Sequence, residues 1–258
     1  YSVEVQGPAV ADIHHFALLQ CGRPARAKYW WQRRRQRRSE LAVDDHDGQV
    51  RLVYRDNGDH RTDIEEVYRL VLRSAKRRVV IANAYFFPGY RLLREIRNAA
   101  RRGVEVRLIL QGQPDMLVAK LAARMTYDYL LKAGVQIHEY CERPLHGKVA
   151  LVDEDWSTVG SSNLDPLSLS MNLEANVLIR DRAFNRTLFE RLEHLSDNHC
   201  KAMCIDTAPR GRIWHMTVGF LVFHFLRHFP AWAGWLPAHK PRLKPFIQPA
   251  GSDQHAPR

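Results

Sequence analysis

Short apolar runs alternate with stretches of 3.6-residue periodicity from Gln49 to Asp197. This alternation predicts a layered α/β domain with a largely parallel or mixed sheet. The apolar runs predict four strands, at Val50–Tyr54, Val79–Ala84, Val104–Leu110 and Val135–Tyr140. Apolar side chains on one helical face predict four helices, over Ile64–Ala75, Leu92–Ala100, Met116–Lys132 and Ala183–Leu195.

After Tyr140 the pattern changes to short strands joined by tight turns. Lys148–Val152 and Trp156–Val159 are predicted to pair across the acidic turn Asp153-Glu154-Asp155. A third strand, Asn172–Ile179, is predicted to follow them. The first ten residues, YSVEVQGPAV, have the pattern of a half-buried strand that runs into a turn, not of a signal peptide.

Positive charge is concentrated in two segments outside this domain. The chain of 258 residues carries a net charge of +11, to which residues 23–38 contribute +8 and residues 207–258 contribute +6. The remainder therefore carries −3, which does not favour the basic cleft that nucleic-acid enzymes present. A content of 45% hydrophobic residues excludes a disordered tail, and the positive net charge excludes an acidic binding module.

Both basic segments also contain aromatic residues. Trp30 and Trp31 precede the arginine run, and residues 213–236 contain seven aromatics and one charged residue, Arg227. Pro230 interrupts this second stretch, which favours an in-plane amphipathic anchor at a membrane surface over a spanning helix. Two alternatives stay open: a solvated linker for the arginine run, and a buried terminal helix for the aromatic stretch.

The cysteines predict neither a disulfide framework nor a zinc ribbon, because the four of them form no CxxC pair. A reducing compartment is therefore the default expectation. His199, Cys200 and Cys204 form the one plausible ligand cluster, and no metal is expected there.

One motif carries residue types suited to phosphodiester chemistry. His146, Lys148 and Asp153 satisfy H-x-K-x4-D, and Gly160-Ser161-Ser162-Asn163 follows them. Imidazole titrates near neutral pH, so His146 is suited to attack phosphorus or to protonate a leaving alkoxide. Lys148 lies two residues on, so on a strand its ammonium would share a face with His146 and neutralise phosphate oxygens. Asn163 would donate a hydrogen bond from the opposite wall.

The remaining polar residues differ in how directly they would act. Ser161 and Gly160 suit a tight turn that meets an anion, although Ser161 suits an ordinary turn equally well. Asp153 lies an odd seven residues from His146, which favours a turn or strand-end cap over a triad partner. Asn172, Glu174 and Asn176 alternate along the last strand, and Glu174 is the better candidate to orient the histidine.

These residues, together with IANAYFFPGYRLL, SSNLDPLSL and the N-L-E run, resemble the phospholipase D superfamily. Within it they look like the C-terminal half of bacterial cardiolipin synthases of the shorter type, which lack N-terminal transmembrane helices. The resemblance implies an α-β-α sandwich half with a central mixed sheet flanked by helices, followed by a C-terminal amphipathic, aromatic helical region. The family's functional residues then correspond to catalytic His146, Lys148, Asp153, Asn163 and Glu174, and to substrate-binding Gly160, Ser161 and Asn172.

The resemblance also implies roles and an activity. His146 would be the general acid, Glu174 would hydrogen-bond it, and Asp153 would be mainly structural. A phosphatidyl group would pass from phosphatidylglycerol, through a phosphohistidine, to a second phospholipid's hydroxyl, without a metal or other cofactor. The expected partners are anionic phospholipid and the cytoplasmic side of the cell membrane, with peripheral attachment and no nucleic acid.

The superfamily site uses two H-x-K-x4-D motifs, and this sequence contains one. We expect either a missing N-terminal half or a second copy to complete the site, and the former is favoured because residues 1–48 look like an inter-half connection. The expected domains are the end of a preceding half (1–22), a basic linker (23–48), the phosphodiesterase domain (49–205) and a membrane-associating region (206–258). Alternatives are a phosphodiesterase or nuclease on the same fold, and a catalytically incomplete membrane-binding half.

Overall fold

The computed structural model of the protein describes residues 1–21, 49–113, 124 and 126–204. Its strands are β1 (Gln49–Arg55), β2 (Arg78–Asn83), β3 (Glu105–Gln111), β4 (Gln136–Tyr140), β5 (Lys148–Val152), β6 (Trp156–Gly160), β7 (Glu174–Arg180) and β8 (Cys200–Ala202). Its helices are α1 (Ala9–Cys21), α2 (Asp63–Ser74), α3 (Tyr90–Arg101), α4 (Pro166–Ser170) and α5 (Arg182–His199), with further helical residues at 126–131. Among the helices described here, none combines the length and the apolar character that a membrane-spanning helix needs.

The strands form one mixed sheet in the order β1-β7-β6-β5-β2-β3-β4-β8. β2, β3 and β4 are parallel, and the other neighbouring pairs are antiparallel. As a result the ends of β1, β2, β3, β4 and β6 and the starts of β5, β7 and β8 lie along one edge of the sheet, which we call the site edge.

Helices cover both faces of this sheet because its central strands are apolar on both sides. In β2, Val79 and Ile81 pack with α2 and α3, whereas Val80 and Ala82 pack with α5. This alternation is the two-residue period of a strand. The predicted α-β-α sandwich with a central mixed sheet is therefore confirmed.

The strand predictions in the central domain are confirmed to within two residues at each end. The helices predicted from Ile64, Leu92 and Ala183 are also present, and each has its apolar stripe in the core. The predicted basic linker, the aromatic C-terminal region and most of the Met116–Lys132 helix lie outside the described residues.

The strand predicted for the first ten residues is wrong. Residues 1–6 have no regular secondary structure, and α1 begins at Ala9. The apolar Val3 packs against the cluster beneath α5 instead of pairing with a strand. Gly7 has a φ of 97°, and the following Pro8 has the fixed φ that suits a helix start.

Candidate active site

His146 and Lys148 meet at the site edge, at the start of β5. The Nζ of Lys148 lies 3.1 Å from the Nε2 of His146. The imidazole is exposed in the segment before the strand, whereas Lys148 is 7% exposed. Leu145 anchors this segment, because its backbone N–H donates to Gln111 Oε1 at 2.6 Å. The pair thus presents one solvent-accessible ring beside one partly desolvated ammonium.

Burial and two nearby carboxylates act in opposite directions on the pKa of Lys148. Its pKa is lowered by burial, and the carboxylates of Glu174 and Asp165 oppose this effect by raising it. Two acidic groups therefore lie near enough to stabilise the ammonium. This is the cationic form that would neutralise phosphate oxygens.

The loop after β6 brings Asn163 to the same edge by bonding to the end of β2. Tyr85 N–H donates to Asn163 Oδ1 at 3.4 Å, and Leu164 N–H donates to Asn83 Oδ1 at 3.2 Å. Asn83 is also the register partner of Lys148, so the loop is fixed beside the lysine strand. The amide nitrogen of Asn163 has no hydrogen bond to another described residue, which leaves it available as a donor.

Gly160 is required by a close approach between β6 and β7. A Cβ built on Gly160 would lie 2.1 Å from Asn176 Oδ1 and 2.6 Å from the Ala175 carbonyl. The same Asn176 oxygen accepts from Ser162 N–H at 3.3 Å. The glycine lets the loop leave β6 against Asn176.

The expected contact between Glu174 and His146 is not the one that forms. Among the described residues, the Glu174 carboxylate accepts hydrogen bonds from the Ser161 hydroxyl and from Asn172 Nδ2, the latter at 3.4 Å. The Ser161 hydroxyl in turn accepts from Ala175 N–H at 3.0 Å. Ser161 therefore holds Glu174, and Glu174 acts on Lys148 through its charge.

Asn172 is exposed and precedes β7, which begins at Glu174, two residues later than the predicted strand. The reason is Arg55, whose guanidinium donates to the carbonyls of Asn172 and Ser170. Arg55 is 2% exposed, and burial lowers its pKa. Sequence reasoning missed this arginine because nothing in the QVRLVYR run distinguishes it from a surface base.

Asn83 and Asp165 were also missed. Asn83 is fully buried beside Lys148, and its amide nitrogen has no partner in the described part of the chain. Asp165 caps α4, since its Oδ1 accepts from Ser168 N–H at 3.1 Å. The Asp-Pro pair at the start of that helix was a usable signal, whereas Asn83 could be placed only by the strand register.

Asp153 lies at the opposite edge of the sheet, in the turn between β5 and β6. Its carboxylate accepts from the backbone N–H groups of Lys76, Arg77 and Arg78 at 2.8 to 3.2 Å. Its own φ is 54°, in the left-handed region that aspartate tolerates better than most residues. The residue occupies a capping position of the kind that its odd spacing from His146 predicts.

Comparison with solved structures defines the class of fold. Nuc from Salmonella typhimurium, a phospholipase D family member, superposes with a TM-score of 0.52 at 20% identity, over 61% of this chain and 99% of that one. Phosphatidylserine synthase of Haemophilus influenzae Rd KW20 gives 0.53 at 15% identity, over 74% of this chain and 48% of that one. At these identities the likeness establishes a phospholipase D-like fold.

The family follows from sequence comparison. The family described as "Cardiolipin synthase, PLD-like domain" matches residues 68–196. Cardiolipin synthase B of Salmonella typhi is 54% identical over 250 residues, which are 97% of this chain and 60% of that protein. The chain therefore belongs to the cardiolipin synthase family of phospholipase D-like domains, and it spans about 60% of the length of the curated relatives it matches.

Proposed function

We propose that this chain carries the second-motif half of a cardiolipin synthase-type phosphatidyltransferase. The observation that carries the proposal is the contact between His146 and Lys148, 3.1 Å apart, with the Asn163 amide fixed at the same edge of the sheet. This group offers a proton-transfer base or acid, a cation and a neutral donor. Those are the parts that transfer of a phosphodiester needs.

In the proposed reaction the phosphate of phosphatidylglycerol lies against Lys148 and Asn163. A nitrogen of a second histidine attacks phosphorus, and the bond from phosphorus to the glycerol oxygen breaks. His146 gives its proton to that oxygen, so glycerol leaves as a neutral alcohol. His146 then accepts the proton of an incoming phospholipid hydroxyl, whose oxygen displaces the first histidine nitrogen from phosphorus.

The second histidine is proposed to come from another H-x-K-x4-D motif, because this sequence contains one. The source is either a further part of the intact protein or a second copy of the chain. The first is supported by the curated relatives, of whose length this chain spans about 60%. We propose a division of the chain into residues 1–22, 23–48, 49–205 and 206–258. The site edge then belongs to the third of these segments.

The substrate is proposed to be an anionic phospholipid in a membrane surface, with the protein attached peripherally on the cytoplasmic side. The support is compositional. Seven aromatic residues within residues 213–236 and the +8 of residues 23–38 suit insertion among anionic headgroups. Exclusion of water near the bilayer would favour an alcohol acceptor over hydrolysis.

The test is incubation with phosphatidylglycerol vesicles in the presence of a chelator, followed by mass spectrometry for cardiolipin and glycerol. Three proteins are compared: this chain, its His146→Ala variant, and an Arg186→Gln variant. Arg186 is exposed on α5 and serves as a control. Cardiolipin and glycerol from the parent and the control, but not from His146→Ala, would support the proposal and show that two copies share a site.

If no product forms, the chain is combined with the part of the Salmonella typhi relative that it does not span. Cardiolipin that then depends on His146 would support completion by another half. Phosphatidic acid without cardiolipin would indicate a hydrolase. No turnover in either preparation would overturn the proposed transfer.

A further inference from the structure

A cavity of about 250 Å³ opens at the site edge, between the end of β4 and the C-terminal part of α5, and His146 is not among the residues that line it. Its polar lining comes from Tyr140, Glu142, Arg143, Arg191, His194 and His199. Tyr140 ends β4 and is the register partner of Cys200, which starts β8 directly after α5. Chain segments far apart in sequence therefore converge on this cavity.

The cavity contains more positive than negative charge. Arg143 and Arg191 contribute two guanidinium groups, and Glu142 contributes one carboxylate. That carboxylate already contacts His199, with Nδ1 and Oε1 2.8 Å apart. Glu142 thus contacts the imidazole and also acts on Arg143 through its charge, and the second guanidinium leaves the lining with a net positive charge.

The two guanidinium groups are available to a ligand. Arg143 Nε donates to the Tyr140 hydroxyl at 2.9 Å, which orients the group and leaves its two terminal nitrogens without a hydrogen bond to another described residue. Arg191 has no hydrogen bond or ion pair with any described residue. The fork of a guanidinium group matches the oxygen geometry of phosphate, and the cavity lined by both arginines has room for a phosphate-bearing headgroup.

The cavity adjoins the candidate active site. Tyr1 lines it, and a Cβ built on Gly147 would lie 3.6 Å from a carbon of the Tyr1 ring. Gly147 separates His146 from Lys148, so one aromatic ring stands between the cavity and the motif. Arg143 is three residues from His146 in the same segment. A headgroup held in the cavity would therefore lie on the other side of the Tyr1 ring from the segment that carries the motif.

We propose that this cavity is a second phosphate site, distinct from the one at Lys148, and that it holds the phosphate of the acceptor phospholipid. The assignment to the acceptor rests on the proposed function, whereas the phosphate site does not. An acceptor phosphate bound by Arg143 and Arg191 would place the hydroxyl of its headgroup toward His146. A free phosphate ion offers the same oxygens to the arginines and is the alternative source.

The test is an NMR titration of the isotope-labelled chain with two probes, glycerophosphoglycerol and inorganic phosphate. Glycerophosphoglycerol is the phosphodiester headgroup without acyl chains. We expect it to shift backbone amides of residues 140–143 and 191–199. The double variant Arg143→Gln/Arg191→Gln should weaken this binding about tenfold or more. Arg186→Gln, which removes one positive charge from the helix that carries Arg191 but outside the cavity, and Lys148→Gln should leave it unchanged.

Each outcome decides one point. Shifts with glycerophosphoglycerol that the double variant loses support the site and a lipid source, and shifts with inorganic phosphate alone support the site and a free-phosphate source. No shift at the cavity with either probe, or a double variant that titrates like Arg186→Gln, overturns it. Because the titration measures binding and not turnover, the proposed phosphate site would remain supported even if the chain makes no cardiolipin. Likewise, absence of binding at the cavity would not contradict the transfer proposed at His146.

Discussion

Strand β5 carries two parts of one motif at its opposite ends. At its start, Lys148 contacts His146, and the imidazole is open to solvent. At its end, the Asp153 carboxylate is occupied by backbone N–H groups of Lys76, Arg77 and Arg78. The start of β5 thus has a side chain open to solvent. At its end, the Asp153 carboxylate joins the turn after β5 to the segment before β2.

The comparison gives a physical reason for the spacing between Lys148 and Asp153. β5 has five residues and is about 16 Å long, so the aspartate lies beyond reach of a phosphate at His146. The four residues between Lys148 and Asp153 form the rest of β5, which crosses the core of the sheet. Every residue of β5 is buried. Membership of one motif therefore does not imply shared chemistry, and substitutions at the two ends of the strand should have different effects.

The largest effect is expected at the start of β5. If the proposed transfer takes place, His146→Ala should lower cardiolipin formation about 10³-fold, because it removes the group proposed to transfer the proton. The free energy of unfolding should change by less than about 0.5 kcal/mol, since the ring is exposed. Steady-state rates and urea unfolding of the same preparation measure both. Residual activity near the parent's would remove His146 from the reaction.

The opposite result is expected at the end of β5. Asp153→Ala should lower the free energy of unfolding by about 3 kcal/mol. The change removes the acceptor of the backbone N–H groups of residues 76–78, and it places alanine at φ 54°. Asp153→Asn keeps one acceptor oxygen and tolerates that φ, so its loss should be smaller. Turnover per folded molecule should stay at the parent's level in both. A variant that is stable but inactive would give the carboxylate a chemical role.

A third variant probes the turn that leads from β6 to Asn163. Gly160→Ala places a methyl group 2.1 Å from Asn176 Oδ1, so either the loop or β7 must move. Overpacking of this kind costs about 2 kcal/mol of unfolding free energy. Because the displaced loop carries Asn163, turnover should fall as well. Asp153→Ala, in contrast, should lower the stability and leave turnover per folded molecule unchanged. Unaltered stability and turnover would mean that the approach to Asn176 is loose.

The sequence predicted the strands and the helices of the central domain because their core positions follow clear periods of two and 3.6 residues. It also predicted that the side chains of His146 and Lys148 lie together, because they are two residues apart, and the contact between Nζ and Nε2 confirms this. It failed where long-range contacts decide the local structure. Arg55 delays the start of β7 by bonding the Ser170 and Asn172 carbonyls, and Ser161 takes the Glu174 carboxylate that was assigned to His146.

The smallest expected effect concerns the charge of Lys148. Burial lowers the pKa of Lys148, and Glu174 raises it again in part. Glu174→Gln removes that opposing charge, so the pKa of the lysine should fall further and the ammonium should lose its proton at a lower pH. If turnover requires the ammonium, the alkaline limb of kcat/KM should therefore move to lower pH.

Lys148→Arg should move the same limb to higher pH, because a guanidinium keeps its proton there. The matched control is Glu154→Gln, an exposed glutamate in the turn at the far end of β5, which should leave the limb in place. Measuring kcat/KM across the alkaline range for the three variants compares the two ends of the strand by charge alone. A limb that responds to Glu154 as strongly as to Glu174 would show that Lys148 senses the net charge of the protein, not a particular neighbour at the site edge.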